Sequence, residues 1–75
     1  MAKQTSIERT VSEIARDLQA DAGLSGRELA RRLGVGHAYL MRRMYGEVDW
    51  SASDLVGLSR VLDIPVSQLF PESIR

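Results

Sequence analysis

The 75 residues contain no cysteine and a single histidine, which excludes disulfides, thiolate metal sites and a zinc site built on several imidazoles. An apolar share of 44% excludes a disordered tail. No apolar run approaches the roughly 20 residues of a membrane-spanning helix, and the polar start MAKQTSIERT is no signal peptide, so a cytoplasmic protein is expected.

Ten basic and ten acidic residues cancel, but not evenly along the chain. Residues 1–23 hold three basic against four acidic residues, residues 24–46 five against one, and residues 47–75 two against five. The positive share therefore sits in the middle third, the distribution of a nucleic-acid footprint rather than of a uniformly neutral surface.

Residues 1–5 read as a frayed start. Thr5 or Ser6, with Glu8 as partner, caps a first helix of about four turns, in which Ile7, Val11, Ile14 and Leu18 recur on one face. Gly23 closes it, and Leu24 plugs the connection. Ser25 and Glu28 have the spacing of a reciprocal capping box for the second helix. Leu29, Ala30 and Leu33 turn inward there, while Arg27, Arg31 and Arg32 turn outward. The small Ala30 lets the next helix cross closely, Gly34 ends the second helix, and Val35 returns to the core. Gly36 caps a short third helix, about residues 36–45 and three turns. Leu40 and Met44 share its buried side, Met41, Arg42 and Tyr45 lie on other faces, and Gly46 stops it. Glu47 to Trp50 form an acidic loop with Trp50 covering the core edge.

Ser51 and Asp54 cap a fourth helix through Leu55, Leu58, Val61 and Leu62, although Gly57 and Ser59 weaken it in isolation. Asp63-Ile64-Pro65 breaks that helix. Pro65 to Phe70 fit a short last helix with Val66, Leu69 and Phe70 inward, stopped by Pro71. The reading is all-α: five short helices around one core, a single domain over residues 1–75 with a helix-turn-helix at 25–46.

The series Leu24-Ser25, Glu28-Leu29-Ala30, Leu33-Gly34-Val35, Leu40, Gly46, Ser51, Leu55, Leu58, Leu62, Ile64 and Leu69-Phe70 resembles the helix-turn-helix family of the lambda-repressor and Cro (XRE) type. The likeness runs without gaps from Ser25 to Phe70. It implies that the second helix lies across the DNA backbone and the third enters the major groove. On that resemblance the base-reading residues are His37, Ala38, Met41 and Arg42. Arg42 is placed to fork onto guanine O6 and N7, a contact worth roughly 1–3 kcal/mol of discrimination. The backbone contacts fall to the amides at Gly26 and Gly36 and to Arg27, Arg31, Arg32, Tyr39 and Arg43.

The chain departs from the family pattern at three places. Gly26 stands where a Gln is common. Arg43 and Met44 replace an aliphatic residue followed by Glu, which sends the Arg43 stem over the core towards a phosphate or an acid. The loop after the third helix is Glu47-Val48-Asp49-Trp50 where a basic one is usual.

The resemblance implies a transcriptional regulator binding a pseudo-palindromic site in double-stranded DNA as a homodimer. The expected pairing surface is the region of the fourth and fifth helices, where Trp50, Val56, Val61 and Ile74 offer apolar area beyond the core. No cofactor, metal or small-molecule ligand is indicated. A rival use of the same fold is a protein-interaction module (an antitoxin, an antirepressor or an oligomerisation domain), which the neutral total charge and acidic loop favour. Enzymatic chemistry is not indicated, because His37 has no carboxylate in its own helix to orient it and the serines stand at helix caps.

Overall fold

Thr10 opens the first helix of the computed structural model, which describes residues 10–71. Its hydroxyl accepts from the Glu13 amide and the Glu13 carboxylate accepts from the Thr10 amide, each at 3.1 Å, a complete capping box. Helix α1 therefore runs Val11–Asp21, three turns rather than the expected four. The Thr5, Ser6, Glu8 and Ile7 readings lie outside the described residues. Helix α2 is Gly26–Leu33, α3 is His37–Met44, α4 is Ala52–Leu62, and a 3₁₀ turn follows at Val66–Leu69. No strand occurs among the described residues.

The inward face of α1 also differs from the aliphatic repeat. Val11, Ile14 and Leu18 are only half-buried, whereas Ala15 is fully buried and Ser12 is 8% exposed. Ser12 is inward because it has two partners there. Its hydroxyl donates to the Arg43 carbonyl at 2.5 Å and accepts from Trp50 Nε1 at 3.0 Å. One turn on, the Arg16 guanidinium donates to the Met44 carbonyl. Both carbonyls belong to the last turn of α3, beyond the reach of the regular helical ladder, where the Arg43 carbonyl also accepts from the Gly46 amide at 3.2 Å and a cation is favoured by the helix dipole. Thus α1 fastens the end of α3, and Trp50 closes over the joint as the sequence suggested.

Leu29, Leu40, Met44, Leu58 and Leu69 form the floor of the core with Ala15 and Ala30. The turn between α2 and α3 is made by Gly34 in the left-handed region (φ +76°). That conformation lets the Gly34 and Val35 amides reach back to the Arg31 and Ala30 carbonyls at 3.1 and 3.0 Å. Asp63 ends α4 in the same way at φ 57°, the only non-glycine among the described residues to do so. Gly57, a weak helix former by propensity, marks a close approach of α4 to α2: a Cβ built there would lie 3.1 Å from Leu33 Cδ2.

Three expectations are corrected here. Helix α3 has eight residues, just over two turns, because Tyr45 already leaves the helical conformation (φ −112°, ψ 14°). The last element is a four-residue 3₁₀ turn in which only Leu69 is buried, with Val66 39% and Phe70 49% exposed. The Ser25–Glu28 box is half formed. Ser25 accepts from the Glu28 amide at 3.0 Å, but the Glu28 carboxylate is taken by two arginines instead.

Candidate nucleic-acid interface

The eight residues of α3 divide by burial into a core side, an exposed side and two half-buried residues, Met41 and Arg43. Leu40 and Met44, four apart and hence on one side, are buried in the core. His37, Ala38 and Arg42 are exposed, as is Tyr45 just beyond the helix. Met41 is half-buried. Its side chain leans towards the start of α2, where a Cβ added at Gly26 would meet Met41 Cε at 3.0 Å and His37 Nε2 at 3.3 Å. The missing side chain at Gly26 is thus space that Met41 and His37 occupy. These residues, with Arg16, Gln19 and Tyr45, line an open cleft of about 270 Å³ between α1, the start of α2 and α3. The Arg16 guanidinium lies 4.8 Å from the Tyr45 ring centre, which extends the exposed face to the far end of α3.

The arginines of α2 are not equivalent. Arg27 is exposed in the first turn. Arg31 and Arg32 both reach the Glu28 carboxylate, at 2.5 and 2.8 Å, while remaining largely open to solvent. The hydrogen bonds from Arg31 and then Arg32 hold the Glu28 carboxyl down at about 2.

Arg43 is placed otherwise. Its Nε donates to Asp54 Oδ2 at 3.0 Å, NH1 donates to the Tyr39 carbonyl at 3.2 Å, and the guanidinium stacks 3.6 Å from the centre of the Tyr39 ring. The Tyr39 hydroxyl donates to the same carboxylate at 3.0 Å. Asp54 also accepts from the Ser51 amide in the capping box of α4, so one carboxylate ties two α3 side chains to the first turn of α4. Burial raises the Asp54 pKa, but hydrogen bonds from Ser51, Tyr39 and Arg43 outweigh it and hold the group below its ordinary value. The hydrogen bond to Asp54, with burial added, raises the Tyr39 phenol.

No family model and no curated protein sequence matches the chain. Solved structures do. The restriction-modification controller protein C.AhdI from Aeromonas hydrophila superposes with a TM-score of 0.77 at 28% identity, over 80% of this chain and 91% of that one. The master regulator for biofilm formation SinR, solved in complex with DNA, gives 0.75 at 28% identity over 80% and 97%. The N-terminal DNA binding domain of SinR from Bacillus subtilis gives 0.76 at 27% over 87% and 96%. The chain shares the fold of these helix-turn-helix DNA-binding regulators.

Within this helix-turn-helix domain, α2 and α3 are the two helices of the motif. The structure brings Gly26, His37 and Met41 together, sets Ala38 and Arg42 free on the outer side of α3, and leaves Gly36 exposed at its N-cap. It does not bring Tyr39 and Arg43 to that outer side. They lie on the α4 flank. Sequence reasoning found the acid as one of two destinations for Arg43 but not its identity. It missed Arg16 and Ser12 as anchors of α3 altogether. Their partners lie 28 to 38 residues away, so no local spacing marks them.

Proposed function

We propose that this domain binds double-stranded DNA sequence-specifically, as a small transcriptional regulator of the phage-repressor, Cro or bacterial XRE kind. The single observation that carries the reading is the division of α3. Its buried side locks it to the core through Leu40 and Met44, and its outer side presents His37, Ala38 and Arg42 beside the amide end of α2. A major groove about 12 Å wide admits one such helix. His37, Ala38, Met41 and Arg42 are proposed to meet base edges, with Met41 contributing only its outer edge. Gly26 and Gly36 offer amides to phosphate, and Arg27, Arg31 and Arg32 offer charge. SinR, similar to this chain over most of its length, was solved with DNA, which supports the reading.

A homodimer on a pseudo-palindrome is proposed with it. Val56 on α4, Val66 on the 3₁₀ turn and Phe70 just after it are exposed apolar side chains on segments that supply none of the proposed DNA contacts. Trp50 and Val61 are half-buried, and Ile74 lies outside the described residues. Among the described residues no helix is long and apolar enough to cross a membrane. A bacterial or phage-infected cytoplasm, on the nucleoid, is the proposed location. The rival, a protein-interaction module of the same fold, draws support from one observation: Arg31, Arg32 and Arg43 are all paired with carboxylates.

Selection of bound sites from random duplex DNA, followed by titration at several salt concentrations, separates the two readings. A DNA reader yields a defined motif and a log K that falls linearly with log salt. An interaction module yields no enriched motif and no duplex binding at low salt. Arg42→Ala should relax selectivity at one base position at a cost of roughly 1–3 kcal/mol, whereas Arg32→Ala should weaken all sequences alike and flatten the salt slope. Identical effects of the two on every sequence would remove Arg42 from the base-reading set.

A further inference from the structure

The arginine best buried at the edge of the motif is the one withheld from solvent. The Arg43 and Asp54 side chains are 15% and 12% exposed, against 71% for Arg31 and 48% for Arg32. Arg43 is held in three ways: Nε on Asp54, NH1 on the Tyr39 carbonyl, the guanidinium face on the Tyr39 ring. The Tyr39 hydroxyl is spent on both oxygens of the same carboxylate, at 3.0 and 3.2 Å. A guanidinium and a phenol four residues apart on a groove-entering helix are a ready pair of phosphate ligands. Here an internal carboxylate takes the place of that phosphate.

From this arrangement we propose that Asp54 is a specificity-determining residue: it keeps Arg43 and Tyr39 off the DNA backbone and so suppresses sequence-independent binding. The inference rests on the DNA-binding reading above. Its physical basis is that phosphate neutralisation supplies nonspecific affinity and discriminates nothing, whereas base contacts discriminate. Withdrawing one cation from backbone contact lowers affinity for all sequences while the outer side of α3 remains available for reading. The same clamp joins α3 to α4, so Asp54 acts as a positioning residue as well.

The test measures salt dependence on a selected site and on a random duplex for the wild type, Asp54→Asn, Arg43→Gln and the double variant, each checked by circular dichroism. Asp54→Asn keeps an oxygen for the Ser51 amide but removes the negative charge that holds the guanidinium. It should steepen the salt slope on random duplex by about 0.9, the value for one phosphate, and lower the ratio of specific to nonspecific affinity. Arg43→Gln in the otherwise wild-type chain should leave both slopes unchanged, and the double variant should return to the wild-type slope.

An unchanged slope in Asp54→Asn overturns the proposal. So does a rise that persists in the double variant, which would report only the loss of a nearby negative charge. A slope that drops by about 0.9 in Arg43→Gln also overturns it, since Arg43 would then already be on phosphate, and this arm decides even where Asp54→Asn does not fold. Absence of wild-type binding to any duplex at low salt overturns the DNA-binding reading itself and this inference with it.

Discussion

At the scale of single residues, Asp54 shows how one carboxylate can serve structure and electrostatics together. Desolvation alone would favour its neutral form, yet it caps α4 and receives Tyr39 and Arg43, and those bonds favour the charged form. Because the folded-state pKa lies below the unfolded value of about 3.9, the stabilisation is fully present above that pH and is lost as pH falls through the lowered value. Asp54→Asn has no such group to protonate. Urea midpoints followed from pH 7 downward should show the wild type more stable at neutral pH and the difference narrowing below about pH 4. A constant difference across that range would mean that the carboxylate charge contributes nothing to the α3–α4 joint. Glu28 differs in kind: its partners Arg31 and Arg32 lie on its own exposed helix, where solvent screens the pairs and little stability follows.

Between elements, the orientation of α3 is set from both sides, by Asp54 of α4 and by Ser12 and Arg16 of α1. Ser12 is the sharper anchor to remove. Ser12→Ala leaves the Trp50 indole N–H and the Arg43 carbonyl without that partner in a part-buried joint, and should cost about 1–3 kcal/mol of stability in urea unfolding. For a domain of this size each kcal/mol is a fall of roughly 4–8 °C in Tm. A loss under about 0.5 kcal/mol would mean that water restores both bonds and that apolar packing alone holds α1 to α3. This joint also explains what the sequence could and could not reveal. Ser25, Gly34, Gly46 and Ser51 were legible because caps and turns are fixed by neighbours within a few positions. The buried pairs Leu29–Ala30 and Leu40–Met44 were legible because helical spacing puts them on one side. Ser12 was not, since a polar residue on an inward face is recognisable only once its partners, 31 and 38 residues away, are known. The start of α1 was ambiguous for a local reason: Thr-x-x-Glu occurs at Thr5 and again at Thr10. Phe70 was misplaced because Val66–Leu69 winds as a 3₁₀ turn, and its tighter repeat carries neighbouring apolar residues away from the side that Leu69 buries.

For the whole molecule, the balance of charge is organised as a dipole along the sequence, with the basic block in residues 24–46 and the acidic excess in 47–75. A net charge of zero gives no general attraction to DNA, so affinity must come from one oriented face. With Arg43 held by Asp54 and Arg31 and Arg32 shared with Glu28, that face offers one domain few free cations. Two domains on one duplex double the contacts, and pairing fixes their separation. The proposed homodimer therefore predicts a geometric requirement: half-sites about 10–10.5 base pairs apart, centre to centre, or a multiple of it. Inserting about five base pairs between the selected half-sites turns them to opposite faces of the helix and should abolish cooperative binding, while about ten should restore part of it. Gel shifts at increasing protein concentration would show a single two-domain complex on the native spacing and stepwise occupancy on the five-base-pair insertion. Stepwise occupancy with equal affinities on every spacing would instead assign binding to independent monomers, and Val56, Val66 and Phe70 would have no role in pairing.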